Sequence, residues 1–288
     1  MQLPRSKLFV PGNRPERMRK ALGIAADALS LDLEDAVPDA EKAAARTMVA
    51  SFLREQSDGS RSQQVWVRVN SRDSGELVAD LLALGGLAID VVNVPKAEQP
   101  RDVHLVEDLL AHLEPGDAQI RIVPTIETAA GLRNALDIAR ASPRVVALQL
   151  GAGDLRKSTG IRATVEGLRT IRVMLSLAAA EAGVHALDSA YVDIADADGF
   201  EADAQDARSL GFRGKSCIHP TQVDAANRIF APTDQEVAEA RAIVEAFDAA
   251  VAKGIGAIQV HGRLVDGPIV DDARRTLALA SATGATGR

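Results

Sequence analysis

Residues 7–36, KLFVPGNRPERMRKALGIAADALSLDLEDA, decide how the rest of the chain is read. Lys7–Val10 is a short apolar run, and Pro15–Leu22 has helical spacing and good helix formers. Ala28–Leu33 is again short and apolar. Pro11-Gly12-Asn13-Arg14 joins the first strand to its helix, and the second strand runs into Asp32-Leu33-Glu34-Asp35. The unit is strand, turn, helix, strand, with charge gathered where the strands end.

The same unit repeats as far as residue 230. Further strands are expected at Val65–Val69, Val91–Val94, Ile120–Pro124, Val145–Leu150, Ala190–Ile194 and Lys215–Ile218. Helices are expected at Ala40–Arg54, Ser74–Leu84, Arg101–Leu113, Ala129–Ala141, Val165–Ala182, Ala202–Leu210 and Thr221–Phe230. Eight uninterrupted βα units predict an α/β fold, a (β/α)8 TIM barrel. A doubly wound open sheet is the competitor, but no Gly-rich dinucleotide turn follows the first strand. Beyond the barrel come a helix at Asp234–Val251, a Gly-punctuated connection at Lys253–Gly256, then His261–Pro268 and a last helix at Asp271–Ala280. The predicted division is therefore 1–230 for the barrel and 231–288 for a C-terminal helical extension. That extension covers the barrel mouth or contacts a neighbouring subunit. Ser57–Gln64 reads as a surface loop and the tail Ser281–Arg288 as frayed.

Composition bounds the function. With 288 residues, 47% of them hydrophobic, a full-sized core is available and disorder is excluded. Forty Asp+Glu against 33 Lys+Arg give a net charge of −7, without the basic balance expected of a nucleic-acid binder. No apolar stretch approaches the roughly twenty residues that span a bilayer. Met1-Gln2-Leu3-Pro4-Arg5 lacks a signal-peptide core. Cys217 is the single cysteine, so no intrachain disulfide forms, and it reads as a buried strand residue. The expectation is a cytoplasmic enzyme that acts on neither nucleic acid nor membrane.

In such a barrel the chemistry lies at the C-terminal ends of the strands. Read there, the sequence supplies Arg68 and Asn70, Lys96 and Glu98, Glu127, Gly151-Ala152-Gly153-Asp154, Asp193 and Asp196, and His219. Glu127 and Asp154 follow adjacent strands, and two hard oxygen donors with room for waters suit Mg2+. Each taken alone reads equally as an acid capping or opening a helix or loop. No clustered His pair offers zinc. Arg68 lies inside a strand between Val67 and Val69, so it needs an anion, either a substrate carboxylate or Glu34 or Asp35. The Pro11–Arg14 turn opens the first helix and is followed by Arg17 and Lys20, a phosphate cradle or a solvated basic face. Lys96 and Lys215 raise Schiff-base aldolase chemistry, against which Lys96, beside Glu98 and near several acids, reads as a structural ion pair. His219 either caps or lines the pocket.

These motifs together resemble the citrate lyase beta-subunit-like group, which includes malyl-CoA and citramalyl-CoA lyases. The resemblance rests on residues 7–15, on Asp32-Leu33-Glu34-Asp35-Ala36-Val37, and on Val67-Arg68-Val69-Asn70. It continues through Val94-Pro95-Lys96, Ile126-Glu127-Thr128, Gly151-Ala152-Gly153-Asp154-Leu155 and residues 214–220. It implies a barrel of the phosphoenolpyruvate/pyruvate-binding type, Mg2+, and reversible cleavage of a C–C bond next to a CoA thioester, with a small 2-oxo acid as the other product. It implies metal carboxylates at Glu127 and Asp154, a substrate-carboxylate arginine at Arg68, and an acidic pair holding metal-bound waters at Glu34 and Asp35. Asp266, in Leu264-Val265-Asp266-Gly267-Pro268, is the expected proton carrier supplied by a neighbouring subunit of a homotrimer or a multiple of one. Arg14 and Glu127 are expected to touch substrate as well. Gly153, where many members have Glu, and the stretch Arg156–Thr164 set the chain apart from complex-bound beta subunits. A citryl-thioester lyase subunit, a Schiff-base aldolase and a non-catalytic acyl-thioester-binding subunit are the alternatives.

Overall fold

The computed structural model describes residues 2–56, 61–114, 119–162 and 164–283. Residues 57–60 of the expected surface loop and 284–288 of the expected frayed tail lie outside the described residues. Two compact units emerge, Leu3–Asn227 and, apart from the first two residues, Arg228–Arg288.

The first unit is built on eight parallel strands: β1 (Ser6–Pro11), β2 (Ala28–Asp32), β3 (Gln64–Arg68), β4 (Val91–Val94), β5 (Arg121–Ile126), β6 (Ala147–Leu150), β7 (His185–Leu187) and β8 (Lys215–Cys217). Their hydrogen-bonded order, β7-β6-β5-β4-β3-β2-β1-β8, is that of a TIM-like barrel. β7 and β8 are joined by the bridge Asp188↔Lys215 rather than by a ladder, so the barrel is nearly closed. Helices α1 (Pro15–Ala21), α2 (Lys42–Glu55), α3 (Leu77–Leu84) and α4 (Pro100–Leu113) follow the first four strands in turn.

Alternation along the strands sends every second side chain inward, and the interior changes character along the axis. Ala28, Trp66, Val91, Val123, Ala147 and Leu187 form an apolar cluster deep in the barrel. Two residues further along, the buried side chains are amides and hydroxyls: Asn93 donates to Thr125 Oγ1 at 2.9 Å, and Gln149 donates to Ser216 Oγ at 3.0 Å. Lys7 stands among them, fully buried, donating to Asn93 Oδ1 at 3.1 Å and to Gln149 Oε1. At the level of the Asp32↔Arg68 register pair the interior becomes charged, so the barrel goes from apolar to amide to charged.

Four expectations need correction. The seventh strand is His185–Leu187, paired with Ala147–Gln149, whereas Ala190–Ile194 is irregular and its Val192 is 79% exposed. Its β-branched residues mimic a buried strand but face outward. Ala129–Ala141 is not one helix but α5 (Ala129–Arg133) and α6 (Ala135–Ala139), parted at Asn134, whose side chain donates to Glu98 O at 2.7 Å. Asp154 does not open a loop; it lies in the first turn of α7 (Ala152–Thr159), which its two glycines had hidden. After α8 (Val165–Glu181), helix α9 (Ala197–Ser209) starts five residues before the expected Ala202, with Asp196 accepting from Gly199 N as its cap. α10 (Val223–Ile229) completes the eighth unit.

Where β7 and β8 meet, the outward side chains form an ionic clasp. Arg172 of α8 reaches Asp188 at 2.9 Å, Asp203 at 2.7 Å and Asp206 at 3.2 Å. Lys215 reaches Asp188 and Asp203 at 2.5 Å each, and Arg169 also pairs with Asp206. Arg172, Asp188 and Lys215 are fully buried. One cluster thus ties both strands of the seam to α8 and α9.

The second unit is not wholly helical. α11 (Asp234–Val251) opens with a capping box between Thr233 and Glu236, and it packs against α12 (Gly267–Thr283). Between them lies a hairpin, β9 (Ile258–Val260) and β10 (Arg263–Val265). His261 and Gly262, both with left-handed φ, make the two-residue turn that matches strand twist.

Candidate active site

The charged layer sits at the C-terminal ends of β2 to β6. Asp32, 1% exposed, closes β2 opposite Arg68, its partner in the β2–β3 register. It accepts from Arg68 Nε at 2.7 Å and Nη2 at 2.6 Å, and also from the backbone N–H groups of Glu34 and Ala36. Those bonds curl the chain so that Glu34 points inward and Asp35 lies at the surface. Arg68 Nη1 lies 2.8 Å from Glu34 Oε2 and 3.5 Å from Asp35 Oδ2. Glu34 Oε2 is off the line of those N–H bonds and remains a buried oxygen without a hydrogen bond.

Lys96 follows β4 in a left-handed conformation, φ 51°, which an L residue adopts only at a cost. That backbone turns its N–H onto Glu127 Oε1 at 2.7 Å, while Nζ reaches Glu34 at 2.5 Å and Asp154 at 3.3 Å. Glu127 follows β5 and is 4% exposed. It lies over the end of β6, where Gly151 has no side chain: a Cβ there would be 2.6 Å from Glu127 Cβ. Burial, then the negative charge of Glu34, pushes the Glu127 carboxyl up to about 8. Burial likewise raises Glu34. For Arg68, burial opposes the charge, but Asp32, Glu34 and Asp35 outweigh it and raise its pKa.

Glu34, Glu127 and Asp154 each bring one ligand oxygen within 4.8 Å of the others. All donors are hard oxygens, one carboxylate oxygen is orphaned, and another carboxyl is held back from ionising by burial and then by like charge. This donor set fits a hard divalent cation such as Mg2+. Arg68, Glu34, Asp35, Glu127 and Asp154 are thus gathered in one place, as the sequence suggested.

Other candidates fall elsewhere. Arg14 is half-exposed at the start of α1, with Glu41 3.9 Å away. Asp266 belongs to the second unit, half-buried, where its carbonyl accepts from Val270 at the start of α12. Lys96 is an ion pair among several acids, as expected, with Glu34 and Asp154, and Lys215 lies in the clasp, so both proposed Schiff-base amines are held by carboxylates. Cys217 is fully buried, which pushes its thiol up to about 12. His219 accepts from Thr221 N at 3.4 Å as a cap, and it also lines a pocket.

Asp32 was not singled out from the sequence, although the period-2 alternation that turns Arg68 inward turns Asp32 inward too. The pocket is the other feature the sequence did not show. It measures about 500 Å³, has apolar walls including Phe9, Pro11 and Ile218, and carries Arg17 and Lys20 on its lining; Asp32 also borders it.

Residues 5–220 match the HpcH/HpaI aldolase/citrate lyase family. The chain belongs to that family. The citrate lyase subunit beta of Escherichia coli K12 is 38% identical over 97% of this chain and 94% of its own. From Cereibacter sphaeroides, a (3S)-malyl-CoA thioesterase is 36% identical over 98% of this chain and 96% of its own. An L-malyl-CoA/beta-methylmalyl-CoA lyase of that organism is also 36% identical, over 91% and 90%. The crystal structure of protein CitE from Mycobacterium tuberculosis, in complex with magnesium, acetoacetate and coenzyme A, superposes with a TM-score of 0.77. It shares 33% identity over 96% of this chain and 97% of its own. The family includes lyases, and among these relatives a lyase and a thioesterase are named for malyl-CoA.

Proposed function

We propose that the protein is a Mg2+-dependent carbon–carbon lyase. It would cleave a 3-hydroxy dicarboxylic acyl-CoA such as malyl-CoA or citramalyl-CoA to acetyl-CoA and a 2-oxo acid, reversibly. The observation that carries this reading is the convergence of Glu34, Glu127 and Asp154 beside Arg68 at the barrel mouth. Glu127 and Asp154 would hold the ion, with Glu34 and Asp35 beside it. Bound there, Mg2+ supplies positive charge for the oxygens on which charge develops as the C–C bond breaks. Arg68 faces the substrate carboxylate with its Nη1 edge and neutralises it. The pocket beside Phe9 would receive the thioester arm, with Arg17 and Lys20 available to phosphates and Arg14 near the same helix start. Asp266 of a neighbouring subunit would move the proton at the carbon next to the thioester, which makes the working form a homo-oligomer, a trimer or a multiple of one.

A coupled assay over malyl-, citramalyl- and citryl-CoA, with Mg2+ and with EDTA, tests this reading. Release of a 2-oxo acid together with acetyl-CoA from the first or second substrate, lost in EDTA, is expected. Turnover of citryl-CoA alone would favour a citrate lyase subunit, and turnover undiminished by EDTA would overturn the metal. The thioesterase relative supports a second reading, hydrolysis of the thioester. In the same assay it would release free CoA with the hydroxy diacid intact.

A further inference from the structure

The Arg68 guanidinium has two edges that can each grip a carboxylate, and the structure uses them differently. The Nε/Nη2 edge is filled by Asp32, with both bonds short and the carboxylate 1% exposed. The Nη1 edge meets Glu34 and Asp35 as ion pairs only, and among the described residues Nη1 donates no hydrogen bond. One edge is therefore fixed and the other left with N–H groups to give. The guanidinium carbon stands over the Phe9 ring, 4.9 Å from its centre, so the ring limits the swing of the arginine from another side.

The two Asp32 oxygens do more than hold an arginine. Oδ1 also accepts from Glu34 N at 2.9 Å, and Oδ2 from Ala36 N at 3.1 Å. The loop carrying Glu34 and Asp35 thus hangs on the same carboxylate that aims Arg68. With four donors around it, Asp32 is held ionised; burial opposes this, but Arg68 outweighs it and lowers its pKa. A fully satisfied buried carboxylate of this kind is a fixed point from which neighbours are oriented.

We propose that Asp32 is the positioning residue of the mouth: it grips the Nε/Nη2 edge of Arg68 so that the Nη1 edge is presented to the substrate carboxylate, and it sets the Glu34–Asp35 loop from the same two oxygens. This rests on the lyase reading above. Asp32 has no contact with the reacting atoms in this role; it acts through Arg68. Geometry of about an ångström is what it supplies, and misplacement on that scale costs about 100-fold in rate.

The test is a double-mutant cycle with Asp32→Asn and Arg68→Ala. Asn keeps the shape of Asp32 and one acceptor oxygen, so the loop bond to Glu34 N survives, and circular dichroism checks the fold. Asp32→Asn should lower kcat/KM about 100-fold with the loss mainly in kcat. In the Arg68→Ala background it should cost no more than about fivefold, because there is no arginine left to aim and only the loop bond from Ala36 N is lost. Equal losses in both backgrounds, or wild-type turnover in Asp32→Asn, would overturn the proposal. Should the wild-type protein turn over none of the thioesters, the lyase reading fails by itself, and exchange of the Arg68 Nε proton, followed by NMR, decides the geometry. Exchange should be slow in wild type and at least about tenfold faster in Asp32→Asn, since that proton then loses its ionised partner. Unchanged exchange sinks the positioning claim.

Discussion

Two clusters of charge are buried in the same barrel, and they are built on opposite plans. At the β7–β8 seam, Arg169, Arg172 and Lys215 face Asp188, Asp203 and Asp206, three against three. At the mouth, among the described residues, Arg68 and Lys96 make the ion pairs of Asp32, Glu34, Asp35 and Asp154, and Glu127 takes a backbone N–H. Lys7 in the layer below also feels Asp32 and Glu127, but burial pushes its pKa well down. The consequence shows in the carboxyl groups. In the clasp, burial raises Asp203 but Lys215 and Arg172 outweigh it, and its pKa is lowered. At the mouth, burial and Glu34 push Glu127 up to about 8. A balanced cluster is finished and holds strands together. An acid-rich one carries a charge debt that a bound cation removes.

That contrast can be broken most severely at the mouth. Glu127→Gln or Asp154→Asn should abolish turnover, by about 1,000-fold or more, while the fold survives. Gln at 127 removes a carboxyl that resists ionisation, so metal-free stability should hold or rise in thermal melts. Activity near wild type in the double variant would end the metal reading.

In the clasp the same logic runs in reverse. Arg172→Met leaves buried carboxylates without their central partner and should cost about 3–5 kcal/mol in urea unfolding. Mg2+ affinity of the folded fraction should not change, because no clasp residue is among the mouth carboxylates. A stable Arg172→Met protein would show that the seam does not depend on its ions.

Arg68→Lys sharpens the comparison at single-residue scale. The charge stays, but one ammonium cannot hold Asp32 with one edge and offer another to substrate. A loss of about 100-fold in kcat/KM is expected. Wild-type kinetics would make Arg68 a charge and nothing more.

The smallest effect is on pH. The Glu127 carboxyl titrates near 8 in the folded protein, against an ordinary value of 4.5. Between those values the folded state keeps a proton that the unfolded chain has released, so stability falls as pH rises through that window. The melting temperature in EDTA should fall steadily as pH rises from 5 to 8. Glu127→Gln should flatten the slope; an unchanged slope would assign it to other groups.

The sequence made the barrel legible because its strands are apolar runs bounded by charge, and β1 to β6 and β8 fall within a few residues of their expected places. β7 was misplaced for a physical reason: His185-Ala186-Leu187 is too short to outweigh the more β-like Ala190–Ile194, whose exposure no local pattern reveals. α7 was hidden because Gly151 and Gly153 read as loop, yet Gly151 is there to admit the Glu127 side chain. Glu127, Asp154, Glu34, Asp35 and Arg68 were legible because each follows or ends a strand. Of the partners of Arg68, Glu34 and Asp35 were legible, but Asp32 was not, because it meets Arg68 across the register of β2 and β3 rather than along the chain.

The most direct measurement is isothermal titration of Mg2+ into the wild-type protein and into Asp154→Asn and Arg172→Met. An acid surplus built for a cation predicts one Mg2+ per chain in wild type, the same in Arg172→Met, and none in Asp154→Asn. No binding by the wild-type protein at millimolar Mg2+, or equal binding by all three, would contradict it.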